Sequence, residues 1–213
     1  MRNFSIYAVS IINLIITARY CILLYKKKTQ PALAMWIFFS IAVFMSLVTY
    51  LADGNFSIWD NILNATDLVL VVTVSIAILL FGEKNSRFTA FDKGCLIAVL
   101  AIIGFWVITR NHLATNLAIQ SILVIAYFPV IRRLLESKSN SEPFSVWILM
   151  LIAPGIALIS SKGDMASIYS WRAIVCVSLL LLLMLRIEMV AKKTKMQLDE
   201  TAQKIKKLNH KPR

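Results

Sequence analysis

The sequence predicts an all-α integral membrane protein. It has seven transmembrane helices, an outer N-terminus and an inner C-terminus, arranged as two parallel three-helix repeats around a linker helix. Three observations lead there. The 213 residues are 59% hydrophobic and 16% charged, with a mean hydropathy of +0.73, whereas soluble domains carry about 45–50% apolar and about 25% charged residues. The apolar residues gather into seven runs, each far longer than a buried strand and without the alternation of barrel strands. The basic residues fall mostly on one side of those runs.

The first run, Phe4 to Tyr25, closes on Lys26-Lys27-Lys28 and has no small-residue cleavage site, so it is expected to remain as a span. The second, Pro31 to Leu51, opens with a proline, tolerated at a helix start because its missing N–H has no partner there anyway. The third, Ile62 to Phe81, follows the turn-like Ala52-Asp53-Gly54-Asn55. The fourth is Gly94 to Thr109, the fifth Leu113 to Leu135, the sixth Pro143 to Ser160 and the seventh Ser170 to Val190. The resulting units are residues 1–82, the linker 83–111, residues 112–190 and a tail, 191–213.

Orientation follows from Lys and Arg in the short loops. With the N-terminus outside, eighteen of the 23 basic residues lie on the inner side. Arg2, Arg110, Lys162 and Arg172 lie outside, and Arg19 lies within a span. The net charge of +12 therefore records topology, and no nucleic-acid partner is expected. The tail reads as a basic cytoplasmic helix continuing the seventh span, with Leu198, Ala202, Ile205 and Leu208 at near-helical spacing. Such a helix touches anionic lipid or serves as a partner or homo-oligomer contact.

Two stretches about half the chain apart are alike. Ala18-Arg19-Tyr20-Cys21, a basic loop and Pro31-Ala32-Leu33-Ala34-Met35-Trp36 parallel Ala126-Tyr127-Phe128-Pro129, a basic loop and Pro143-Phe144-Ser145-Val146-Trp147. Spans one to three thus match spans five to seven, and a single linker span gives both triplets the same direction. On these residues the chain resembles the SWEET and PQ-loop transporters, which are built three-plus-one-plus-three, N-out and C-in. Tyr127-Phe128-Pro129-Val130 looks like a degenerate form of their proline–glutamine motif, with valine for glutamine, and Arg19-Tyr20-Cys21 stands in the first copy's place. Sugar-transporting members set a tryptophan on the pocket from the second helix of each triplet. Here Trp36 and Trp147 lie near the inner ends, while the deeper positions hold Ser46 and Ala157, which points away from a sugar.

Polar residues at membrane depth nominate sites, because burying them in hydrocarbon is costly. Asn13, Asp67, Asn116, Gln120 and Ser178 lie roughly 5–15 Å from the outer ends, at about 1.5 Å per residue, with Ser46 and Asn64 a little shallower. Together they are expected to line one substrate cavity, with Asp67 as a coupling site, a direct ligand or a carboxylate bonded to a neighbouring helix. Arg19, about 9 Å from the inner end of its span, either snorkels or joins Tyr20, Trp36, Tyr127, Pro129 and Trp147 in an inner gate. Those aromatics equally suit an interfacial belt. Pro129 and Pro154-Gly155 are expected bend points.

Catalytic chemistry finds no footing. Two histidines and scattered Cys21, Cys95 and Cys176 lack metal-ligand spacing, and no Gly-rich phosphate loop is present. No lysine lies in the seventh span to hold retinal. No cofactor is expected. The sequence therefore points to a non-enzymatic transporter of a small polar solute, in a bacterial inner membrane. The alternative is a non-transporting receptor, scaffold or accessory subunit.

Overall fold

The computed structural model describes residues 1–29, 33–54, 56–82, 90–136, 140 and 143–209. Pro31, the basic loop at 83–89, Lys138, Glu142 and the last four residues lie outside the described residues. The described chain is helical, with no strand. Its helices are α1 (Arg2–Tyr25), α2 (Leu33–Ala52), α3 (Ile62–Phe81), α4 (Ala90–Thr109), α5 (His112–Ile125), α6 (Phe128–Glu136), α7 (Phe144–Ala157) and α8 (Asp164–Asn209). A 3-10 turn, Ile58–Asn61, leads into α3.

Three segments, Arg2–Tyr25, Ile58–Phe81 and Asp164–Lys193, are long and apolar enough to cross a membrane, which is compatible with an integral membrane protein. Trp36–Ala52, Lys93–Thr109, His112–Ile125 and Phe144–Ala157 are shorter apolar helices. Large apolar side chains face outward, among them Leu14, Leu80 and Leu182. Asn13, Ser46, Asn64 and Asn116 are buried. A hydrocarbon solvent would favour this distribution, because polar groups there find partners only inside the bundle.

The expected fifth span is two helices. α5 stops at Ile125, the amide of Tyr127 bonds back to the Val124 carbonyl, and α6 starts at Phe128. Proline explains the break: Pro129 lacks an N–H and fits only the first turn of a new helix. The last helix, α8, begins six residues before Ser170, the start expected for the seventh span. Gly163, at a φ of +80°, turns the chain there, and a Cβ on it would meet Phe56 at 2.8 Å. Asp164 follows in the first helical turn, where a carboxylate suits the dipole. α8 then runs unbroken for 46 residues, about 69 Å at 1.5 Å per residue, so the basic tail continues the last apolar segment as expected.

Within the first group, α3 packs against both α1 and α2. Within the last, α8 packs against α7 and against α5 and α6. The two groups meet through α1 on α7 and α2 on α5. α4 lies to the side, against α5 and α2. At the end where α1 begins, the groups are clasped. The Ser5 hydroxyl donates to the Ile156 carbonyl at 2.6 Å and shares a hydrogen bond with the Ser160 hydroxyl at 2.9 Å. The Lys162 amide donates to the Asp60 carbonyl at 2.9 Å, and the Tyr50 hydroxyl donates to the Lys162 carbonyl at 2.9 Å. Arg2 pairs with the Asp60 carboxylate.

Candidate functional site

A cavity of about 110 Å³ lies between the groups. Its walls come from α1, α2, α3, the α5–α6 break, α7 and α8. α4, the expected linker, contributes no described residue to them.

One part of the wall is polar. Asn13, on α1, donates its amide to Asp67 Oδ1 at 2.9 Å and to the Thr66 hydroxyl at 2.7 Å. The Tyr169 hydroxyl donates to Asp67 Oδ2 at 2.9 Å. One turn further along α8, the Arg172 guanidinium lies over the Tyr169 ring, 4.7 Å from its centroid, a favourable cation–π placement. The Arg172 Nε–H donates to Gln120 Oε1 at 2.8 Å, and the Tyr127 hydroxyl lies beside the guanidinium. Asp67 and Arg172 thus face one cavity without a direct ion pair, with Tyr169 between them.

The rest of the wall is aromatic and aliphatic. Tyr20 and Trp36 lie 5.1 Å apart by ring centroids, Trp36 and Phe39 6.4 Å, Phe39 and Tyr127 6.2 Å, and Tyr127 and Trp147 6.3 Å. This chain of rings passes from α1 and α2 across to α7. Buried Trp36 keeps an indole N–H with no hydrogen-bond partner, at a cost of about 1–3 kcal/mol for an unsatisfied donor.

The expected site residues divide. Asn13 and Asp67 line the cavity. Ser46, Asn64, Asn116 and Gln120 do not; they form a buried network that joins α2 to α3 and α5. Gln120 donates to the Ser46 hydroxyl at 2.9 Å, and Asn116 donates to the Ser46 carbonyl and the Thr49 hydroxyl, each at 3.0 Å. Asn64 and the Ser46 hydroxyl share a bond of 2.8 Å. These groups satisfy one another because α2 and α5 pack too closely to leave space between them. Half-buried Ser178 is off the cavity too. The cavity face of α8 carries Tyr169, Arg172, Ala173 and Val177, and the next residue turns about 100° away. Replacing Ser46 with alanine removes the hydroxyl shared by Gln120 and Asn64. The expected loss is about 1–3 kcal/mol, read as a lower melting temperature in detergent. An unchanged melting temperature contradicts its role as the hub.

Of the expected inner gate, Tyr20, Trp36, Tyr127 and Trp147 line the same cavity as Asp67, so they wall the chamber itself. The two tryptophans therefore lie on the cavity wall and not only at the inner ends of their helices. Arg19 is exposed, because it sits about 100° around α1 from inward-facing Tyr20. Pro129 lies in α6, and its side chain is outside the described residues. Pro154 lies within α7 and lines the cavity.

Tyr169 and Arg172 were not expected in the site. Starting the seventh span at Ser170 left Tyr169 outside it and Arg172 at its outer end, counted with the outer charges. The available signal was the spacing of Tyr169, Arg172, Ala173 and Cys176 behind the helix-starting Gly163-Asp164. No family model, curated protein or solved structure matches the chain.

Proposed function

We propose that the chain is a membrane transporter for a small polar solute, working by alternating access. α1–α3 and α5–α8 rock about the cavity between them, and α4 links them. The observation that carries this reading is the cavity's construction. Both groups wall it, and each supplies a charged residue bonded to a carboxamide from its own first helix: Asp67 with Asn13, and Arg172 with Gln120. The arrangement of the third helix between the other two, in both groups, supports a three-plus-one-plus-three repeat. So does the match of Tyr20 and Trp36 with Tyr127 and Trp147. The same features support the resemblance to the SWEET and PQ-loop plan, and the basic-residue bias supports an inner C-terminus.

The second reading is a non-transporting scaffold, favoured by the spent α2–α5 network. Purified protein in proteoliposomes, offered a panel of labelled small metabolites, separates the two. Transport predicts saturable uptake of at least one compound above protein-free vesicles. Uptake equal to protein-free vesicles across the panel favours the scaffold.

A further inference from the structure

We propose that the chamber takes a compact zwitterion of betaine type, with a fully alkylated ammonium at one end and a carboxylate at the other. The inference rests on the transport reading of the same cavity and names its substrate class. Asp67 and Arg172 bring opposite charges to one small cavity yet form no direct ion pair. A solute with both charges meets a complementary group at each end. A solute with one charge leaves the other resident charge facing an apolar wall.

The two ends differ in what they offer. Both Asp67 oxygens already accept a hydrogen bond, from Asn13 and from Tyr169. About two of the carboxylate's roughly four acceptor sites are thereby filled, and its charge suits an ammonium that has no N–H to donate. The rings of Tyr20, Trp36, Phe39 and Tyr127 complete the surroundings, and aromatic faces attract weakly hydrated alkylated ammonium groups. At the other end, Gln120 holds only the Nε of Arg172. Its amino groups are not committed to a protein carboxylate, and a guanidinium binds a carboxylate bidentately. The Tyr127 hydroxyl beside it adds a polar group in the same wall.

The test is calorimetric titration of the full-length purified protein with glycine betaine, glycine, choline and acetate. Glycine betaine is expected to bind at least about tenfold more tightly than each of the others. Asp67→Asn and Arg172→Gln are each expected to weaken it at least about tenfold. The comparison among ligands uses the wild-type protein, so it stands even if a variant misfolds. Glycine, choline or acetate binding as tightly as betaine overturns the proposal, as does betaine failing to bind. Betaine that binds but is not taken up by proteoliposomes upholds the site chemistry and rejects transport. Uptake of another solute without betaine binding rejects the zwitterion and leaves transport standing.

Discussion

Asp67→Asn is expected to cut uptake in reconstituted vesicles by about thirtyfold or more. The substitution keeps the size of the side chain and removes its charge. Asp67 carries the negative charge on a cavity that also holds Arg172. Without it the guanidinium faces that cavity with its countercharge gone, and any cationic group on a solute loses its attraction. Losing one partner of a close buried charge contact, here that between Asp67 and a solute's cationic group, costs about 2–5 kcal/mol, and about 1.4 kcal/mol is a factor of ten. The direct hydrogen-bond partners, Asn13 and Tyr169, can still meet an asparagine, so the fold is expected to survive. Initial uptake rates at matched protein density check this. A rate equal to wild type removes Asp67 from the mechanism.

A crosslink at the clasped end is the second large effect. Ser5 on α1 and Ser160 after α7 bring their hydroxyl oxygens to 2.9 Å, and they belong to different helix groups. In the alternating-access reading this end is the outer one, and it must separate for solute to enter from outside. Hydrogen bonds of this kind are individually weak, about 0.5–1.5 kcal/mol net, so thermal motion can open them. A disulfide cannot be opened that way. Cysteines at both positions are close enough to be tested for bridging, in a background where Cys21, Cys95 and Cys176 are replaced so that only the new pair reacts. Oxidation is expected to hold the clasp shut and stop exchange across the membrane.

The helical architecture was legible because apolar run length and basic-residue placement are properties of the chain itself. α1 and α3 fall within two residues of their expected bounds for that reason. The start of α8 was not, because Lys162-Gly163-Asp164 reads as loop by polarity, while packing against Phe56 fixes the turn there. That shift concealed Tyr169 and Arg172. Depth along a helix singled out Asn13 and Asp67, which line the cavity, but depth says nothing about which way a side chain faces. Asn116 and Gln120 share that depth and turn into the α2–α5 contact instead. The aromatic pairs were read as equivalents in the two halves, since Trp36 and Trp147 each follow a proline at similar spacing. Their place on one cavity depended on helix packing that no local pattern encodes.

In the proposed alternating access, solute crosses by movement of the two groups against each other. Uptake by the Ser5→Cys/Ser160→Cys protein, measured reduced, oxidised and reduced again, tests it most directly. Alternating access predicts uptake in the reduced protein, loss of at least about nine-tenths of it once mass spectrometry shows the bridge formed, and recovery on reduction. Full uptake through the bridged protein contradicts the account.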